Sequence, residues 1–250
     1  MKKILSLILI SMLVFTLAGC DLDEYLSNLR PDVYAPAVTE EEAEFIAMVQ
    51  ELETAVVAIE NTQDNNQSRR GSGVIVKVEA ALLTNVYTVL TSQWVVEDAL
   101  SLNVYVSSIQ SYPGVILNYQ AEYDANSDIA VVTFETNREL GVIELNEFDD
   151  SIELLKTREI FSIGTPITLG YFNYVTNKAL IMGNQGNILI HGTNLNYGQI
   201  GSPLFLKSTG QLIGINTKYS TTAGSQQRPE VLINHALFVN RVIELVEGYL

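Results

Sequence analysis

Residues 194–206 read NLNYGQIGSPLFL. Gly198, Gly201 and Pro203 punctuate the stretch, and Leu204-Phe205-Leu206 then runs apolar, so it predicts a loop feeding a buried strand. Two glycines three apart with a proline soon after make a tight backbone turn, a place where main-chain N–H groups converge.

Working outward, short runs rich in Val, Ile, Thr and Tyr alternate with Gly, Asn, Asp and Ser. They predict a first set of strands at Ala55–Ile59, Gly71–Lys77, Val86–Leu90, Leu102–Val106, Ala121–Tyr123 and Ile129–Phe134. A second set falls at Ile160–Gly164, Ala179–Gly183, Asn187–Ile190, Pro203–Leu206, Leu212–Thr217 and Ala236–Phe238. Thr39 and Glu42 fit a capping box, and Phe45, Ile46, Val49 and Leu52 follow at helical spacing, which predicts a helix over 40–52. A closing helix is expected over 240–250, with Val242, Ile243, Val246 and Leu250 on one face. This order suits two antiparallel barrels better than alternating βαβ units, although pattern alone does not choose barrels over a sandwich.

Composition bounds the rest. The 250 residues are 47% hydrophobic, enough for one large domain or two small ones. A formal net charge of -15 argues against nucleic acid and against adhesion to an anionic bilayer by charge; the pair Arg69-Arg70 is too short to reverse this. Cys20 is the one cysteine, so no intrachain disulfide forms.

The first twenty residues read as a targeting segment. Lys2 and Lys3 form a basic region, Ile4–Leu17 is apolar but too short for a membrane span, and Leu17-Ala18-Gly19-Cys20 resembles the lipobox of bacterial lipoproteins. That resemblance implies cleavage before Cys20, a diacylglyceryl anchor on its thiol, and a place on the outer side of a bacterial cell membrane. Without Lys2 and Lys3, 12 basic residues face 29 acidic ones, a net charge near -17. The expected organisation is a signal peptide at 1–19, a lipidated tether at 20–39 with Pro31 and Pro36, and one domain at 40–250. Within it the first barrel covers about 53–140, the second about 150–238, and the helix 240–250.

The nucleophile-loop stretch resembles the GNSGGPL of trypsin-like serine proteases. Five more pieces match in order the high-temperature-requirement type of bacterial proteases within that family: Gly71–Ile75 resembles GSGVII, Leu90–Val96 resembles LTNNHVV, Ser127–Val132 resembles TDLAVLK, Phe161–Pro166 resembles AIGNP, and Gly210–Thr217 resembles GEVIGINT. Coverage runs from about Glu53 to Leu250. The resemblance implies an all-β fold of two antiparallel six-stranded barrels, and a catalytic triad whose positions can be carried over. The histidine falls on Trp94, the aspartate on Asp128, and the serine on Ile200. The backbone of Gly198 and Ile200 falls on the family's oxyanion hole, left as a nest for an anion or carbonyl oxygen.

Two of the three roles are lost. A serine hydroxyl needs a base to become a nucleophile, and an indole nitrogen is a donor only. The expected function is therefore that of a non-catalytic homologue, a pseudoprotease that binds a protein or peptide at the former cleft. Relocated serine hydrolysis is the first alternative, with Ser202 or Ser92 as nucleophile and His191 or His235 as base; a structural envelope lipoprotein is the second. Trp94 and Ile200 are expected to plug the cleft with apolar bulk, and the Trp94 indole N–H is one candidate donor to Asp128, backbone groups being the other. Asp124, Asn126, Asp128 and Glu135 match calcium-loop spacing, but Ile129 replaces the required glycine and opens an apolar strand. No metal and no cofactor is expected.

Overall fold

The strand runs pair into two closed barrels in a computed structural model, which describes residues 38–64, 67–119, 124–148, 151–217, 220–221 and 232–250. The signal peptide, the lipobox with Cys20, nearly all of the tether and the strand expected at Ala121–Tyr123 lie outside the described residues. Contacts divide the chain into two compact units, Met1–Ala43 and Glu44–Leu250. In the first, Thr39 and Glu42 cap each other: the Glu42 N–H donates to Thr39 Oγ1 at 3.2 Å, and the Thr39 N–H to Glu42 Oε2 at 2.9 Å. They open helix α1, Glu40–Leu52.

The first barrel comprises β1 (Val56–Thr62), β2 (Ser68–Ala80), β3 (Asn85–Thr91), β4 (Ser101–Ser107), β5 (Gln110–Tyr119) and β6 (Ala130–Thr136). Its antiparallel pairs close in the order β1-β2-β3-β6-β5-β4, with β1 pairing again to β4. A four-residue helix, α2 (Gln93–Val96), follows β3 directly. Inward residues such as Ile59, Ile75, Val89, Val104, Val132 and Phe134 fill the barrel. Each such side chain contributes about 1.5–3 kcal/mol when removed from water.

The second barrel is built from β7 (Glu159–Gly164), β9 (Ala179–Gln185), β10 (Ile188–His191), β11 (Pro203–Leu206), β12 (Leu212–Asn216) and β14 (Leu232–Phe238). It closes where β10 pairs β14, Ile188 opposite Leu237. Two-residue strands, β8 (Tyr174–Val175) and β13 (Ser220–Thr221), pair at its edges to β7 and β14. Strands β11 and β12 are buried throughout, as the apolar run of β11 and that of β12 up to Asn216 require. Helix α3 (Val239–Val246) ends earlier than the sequence pattern predicts, because Glu247–Tyr249, with Gly248 inside it, tightens into a 3₁₀ turn.

Strand β5 was not expected. Pro113 and Gly114 argue against a strand by propensity, yet burial along it alternates strictly, and Pro113 and its odd-numbered neighbours face outward. Two barrels of six strands thus stand side by side within the second unit, and the loop quoted first lies where they meet.

Candidate functional site

Trp94 and Asp128 come together through main chain rather than through the indole. Ser92, in extended conformation, caps α2: its hydroxyl accepts from the Trp94 N–H at 3.2 Å and donates to Asp128 Oδ1 at 2.7 Å. The same Trp94 N–H reaches Asp128 Oδ1 at 3.4 Å. First-turn N–H groups of a helix have no partner within it and point back along the axis, so they face the carboxylate. The Trp94 side chain points away. The Arg69 guanidinium lies 4.5 Å from its ring centre and donates to the Trp94 carbonyl. Donation from the indole to Asp128, one of the two expected arrangements, is therefore replaced by donation from a hydroxyl and a backbone N–H. Asp128 is fully buried, and these donors offset the cost of holding a carboxylate away from water. Asp124 shapes its approach: Asp124 Oδ1 accepts from the Asn126 N–H at 3.0 Å and starts the 3₁₀ turn Ala125–Ser127 that delivers Asp128.

The facing wall is the 196–203 segment. Gln199 donates to the Asn196 carbonyl at 3.0 Å and Ser202 to the Gln199 carbonyl at 3.2 Å, so the chain turns twice. Gly198 and Gly201 take φ of 96° and 85°, a region that favours glycine. Space imposes the same choice at Gly201, where a Cβ would lie 2.2 Å from Thr91 Oγ1 and 2.3 Å from the Ser72 carbonyl oxygen. One first-barrel residue holds this loop. The Ser72 N–H donates to the Ile200 carbonyl at 2.8 Å, and the Ser72 hydroxyl to the Gly198 carbonyl at 2.7 Å. Among the described residues, nothing accepts from the N–H groups of Gly198 or Ile200.

Between the two walls lies a cavity of about 560 Å³, lined by Arg69, Arg70, Trp94, Tyr197, Gly198 and Ile200 among others. Trp94 and Ile200 therefore line the cleft, whereas the expectation was that they fill it; the Arg69 guanidinium lies over the indole. Arg69 pairs with Glu97 at 3.3 Å, and Arg70 with Glu60 at 3.2 Å and with the Tyr171 hydroxyl at 2.7 Å. No carboxylate is among the described residues lining the cavity. Two of its lining side chains stand exposed, Tyr197 at 72% and Ile167 at 43%.

The remaining hydroxyls and imidazoles point elsewhere. Ser202 faces the inside of the second barrel, where its Oγ lies 3.0 Å from Ser162 Oγ and accepts from Asn216 Nδ2 at 2.9 Å. Asn216 Nδ2 also donates to Ser162 Oγ at 2.8 Å, and that hydroxyl donates to the Pro203 carbonyl at 2.6 Å. His191 is fully buried with Nδ1 2.9 Å from Thr193 Oγ1. Its Nε2 meets no partner at hydrogen-bond geometry among the described residues. Burial pushes its pKa down to about 3, against a smaller opposing pull from nearby Asn216. His235, on β14, is also held below the usual histidine range by burial. No serine–imidazole pair stands at hydrogen-bond distance among the described residues.

Sequence reasoning did not foresee Arg69 and Arg70 as part of the site. Their position immediately before Gly71 was the available signal. β2 starts at Ser68, and that earlier start carries both guanidinium groups to the cleft. The Ser162–Ser202–Asn216 cluster gave no such signal, because its members lie on three separate strands or their approaches.

A family model described as trypsin-like peptidase domain matches residues 71–215. Among curated relatives, the chain is 26% identical over 208 residues to serine protease Do-like HtrA of Bacillus subtilis, covering 72% of this chain and 43% of that protein. It is 28% identical over 160 residues to human serine protease HTRA4, covering 59% and 30%. It is 24% identical over 186 residues to a probable periplasmic serine endoprotease, DegP-like, of Chlamydia pneumoniae, covering 72% and 35%. The chain thus spans less than half the length of these relatives. A crystal structure of the serine endoprotease from Yersinia pestis shares the fold, with a TM-score of 0.60 at 24% identity over 82% of this chain and 65% of that one.

Proposed function

The chain belongs to the trypsin-like peptidase family, and from that premise we propose that it is a non-catalytic member whose former active-site cleft binds a protein or peptide segment. One observation carries the reading: Trp94 and Ile200 line the cleft, Asp128 is buried behind the Trp94 main chain, and no serine hydroxyl stands in reach of an imidazole among the described residues. The indole offers a proton donor and no base, and isoleucine offers no nucleophile. Loss of serine or histidine costs about 10⁶ in turnover in a comparable constellation, or about 8 kcal/mol of barrier. What survives suits binding: a cavity of about 560 Å³, N–H groups with no acceptor among the described residues, and the exposed side chains of Tyr197 and Ile167 on its lining.

The protein acts on the outer side of a bacterial membrane, held through a lipid on Cys20. The lipobox-like Leu17–Cys20 supports this, as does the word periplasmic in the name of the Chlamydia pneumoniae relative. Among the described residues no helix is long and apolar enough to cross a membrane.

The test is labelling of the purified protein with a fluorophosphonate beside an active trypsin-like protease. The expected result is no adduct at any serine and no hydrolysis of a peptide library. A stoichiometric adduct at Ser92 or Ser202 would replace this reading with relocated hydrolysis. Replacement of Cys20 by serine is expected to abolish incorporation of labelled fatty acid.

A further inference from the structure

The cavity has a chemistry more specific than an apolar slot. The N–H groups of Gly198 and Ile200, both lining residues, have no acceptor among the described residues. Arg69 commits only Nη1, to the Trp94 carbonyl and to Glu97, so its Nε and Nη2 have no partner among the described residues. Arg70 donates through Nε and Nη2 to Glu60 and Tyr171, and Nη1 is left over. A guanidinium has five donors in a planar fork and suits a group with two oxygens. Around these donors stand the apolar walls of Trp94, Ile200 and Ile167.

We propose that this cavity takes the free carboxyl end of a polypeptide, its α-carboxylate held by Arg69 and by the Gly198 and Ile200 N–H groups, with an apolar last side chain against Trp94. The inference rests on the reading of the cleft as a binding site. An internal carbonyl would use the N–H groups but leave the guanidinium donors unmet, whereas a carboxylate satisfies both. The chain's net charge of -15 repels anions at long range, so recognition must come from short-range hydrogen bonds, and these are what the cavity offers. The volume of about 560 Å³ lies within the range of about 300–1,000 Å³ typical of small-ligand pockets and admits a chain end more readily than a long threaded segment.

Trp94 is the only tryptophan, so its emission reports directly on the site. The probes are N-acetyl-Gly-Gly-X peptides with X as Leu, Ile, Val, Phe or Met, each as free acid and as C-terminal amide, together with decanoate. The expected result is a saturable change in Trp94 emission with at least one free acid, at least tenfold weaker for its amide and for Arg69→Gln, with Arg69→Lys falling between Arg69→Gln and the unaltered protein because it keeps the charge and loses the fork. Circular dichroism of each variant checks its folding, and the acid–amide comparison on the unaltered protein needs no variant. Equal binding of acid and amide overturns the carboxylate assignment and leaves the peptide-binding reading standing. Binding of decanoate as tight as that of the best acid overturns the commitment to a polypeptide end. Silence from every probe, with no fluorophosphonate adduct, overturns both readings; an adduct overturns the non-catalytic reading by itself.

Discussion

In front of the 198–203 segment lies a cavity walled by Trp94 and Ile200; behind it Ser202, Ser162 and Asn216 form a closed polar cluster inside the second barrel. Ile200 and Ser202 stand only two residues apart. A hydrolase needs its polar side chain in front and tolerates an apolar one behind. This chain has them reversed, and each is well accommodated where it stands. The apolar side chain lines a cleft with open donors, and the hydroxyl is matched by an amide and a second hydroxyl. The lesson is that the presence of serines near a cleft says little until their hydrogen bonds are traced, because a satisfied, buried hydroxyl is a structural group.

The largest effect is expected from reversing the front face. Trp94→His combined with Ile200→Ser would return an imidazole and a hydroxyl to the two replaced positions lining the cleft. Fluorophosphonate labelling of the double variant should exceed that of either single variant by about 10³-fold or more, since the members of such a constellation act as a unit. Equal rates in all three would mean that the loop backbone, and not its side chains, had lost competence.

Breaking the rear cluster comes next. Asn216→Ala removes both donors to Ser162 and Ser202 and should lower unfolding stability by about 3 kcal/mol, read from urea midpoints at constant m-value. A loss well under 1 kcal/mol would show the cluster to be incidental.

His191 extends the contrast into pH. Its folded pKa of about 3 lies below the ordinary 6.5 because it is buried, so the unfolded chain takes up a proton that the folded chain refuses. Its contribution is fully present above pH 6.5 and is lost as pH falls toward 3, at up to about 1.4 kcal/mol per pH unit. His191→Gln should flatten the stability–pH curve by that slope in that window; an unchanged slope would mean that the imidazole is not held neutral.

The smallest effect concerns the rim. Tyr171→Phe loses the hydroxyl that accepts from Arg70 and donates to Glu60 at 3.2 Å, a partly exposed contact worth about 0.5–1.5 kcal/mol. The stack of Tyr171 on Tyr105, with ring centres 3.6 Å apart, remains to hold the loop. A larger loss would make the hydroxyl, rather than the ring stack, the main tie of that loop to the first barrel.

Much of this was written in the sequence. The fold showed in the spacing of apolar runs and in glycine-marked turns, since a strand buried on both sides is mostly apolar, as β11 is throughout and β12 is up to Asn216. β5 escaped because its proline sits opposite Asn103 of β4, ahead of the pairing to β6 that begins at Val115, a fact of register that propensity does not carry. At the site, motif order singled out Trp94, Asp128 and Ile200; the structure places the Trp94 main chain at Asp128 and lines one cavity with Trp94 and Ile200. Which part of Trp94 faces Asp128 did not, because the first turn of a four-residue helix decides between main chain and side chain. Arg69 and Arg70 looked negligible against the overall charge, yet a local field depends on where two charges stand and not on how many there are.

The way Ser72 grips the nucleophile loop has one more consequence. It holds the loop by the carbonyl oxygens of Gly198 and Ile200, atoms common to all twenty amino acids. The contour of the loop is therefore indifferent to what residue 200 carries. Chemistry at that position could be erased, or rewritten, without leaving a trace in the outline of the fold. Shape here keeps a record of ancestry, and only the identity of single side chains keeps a record of occupation.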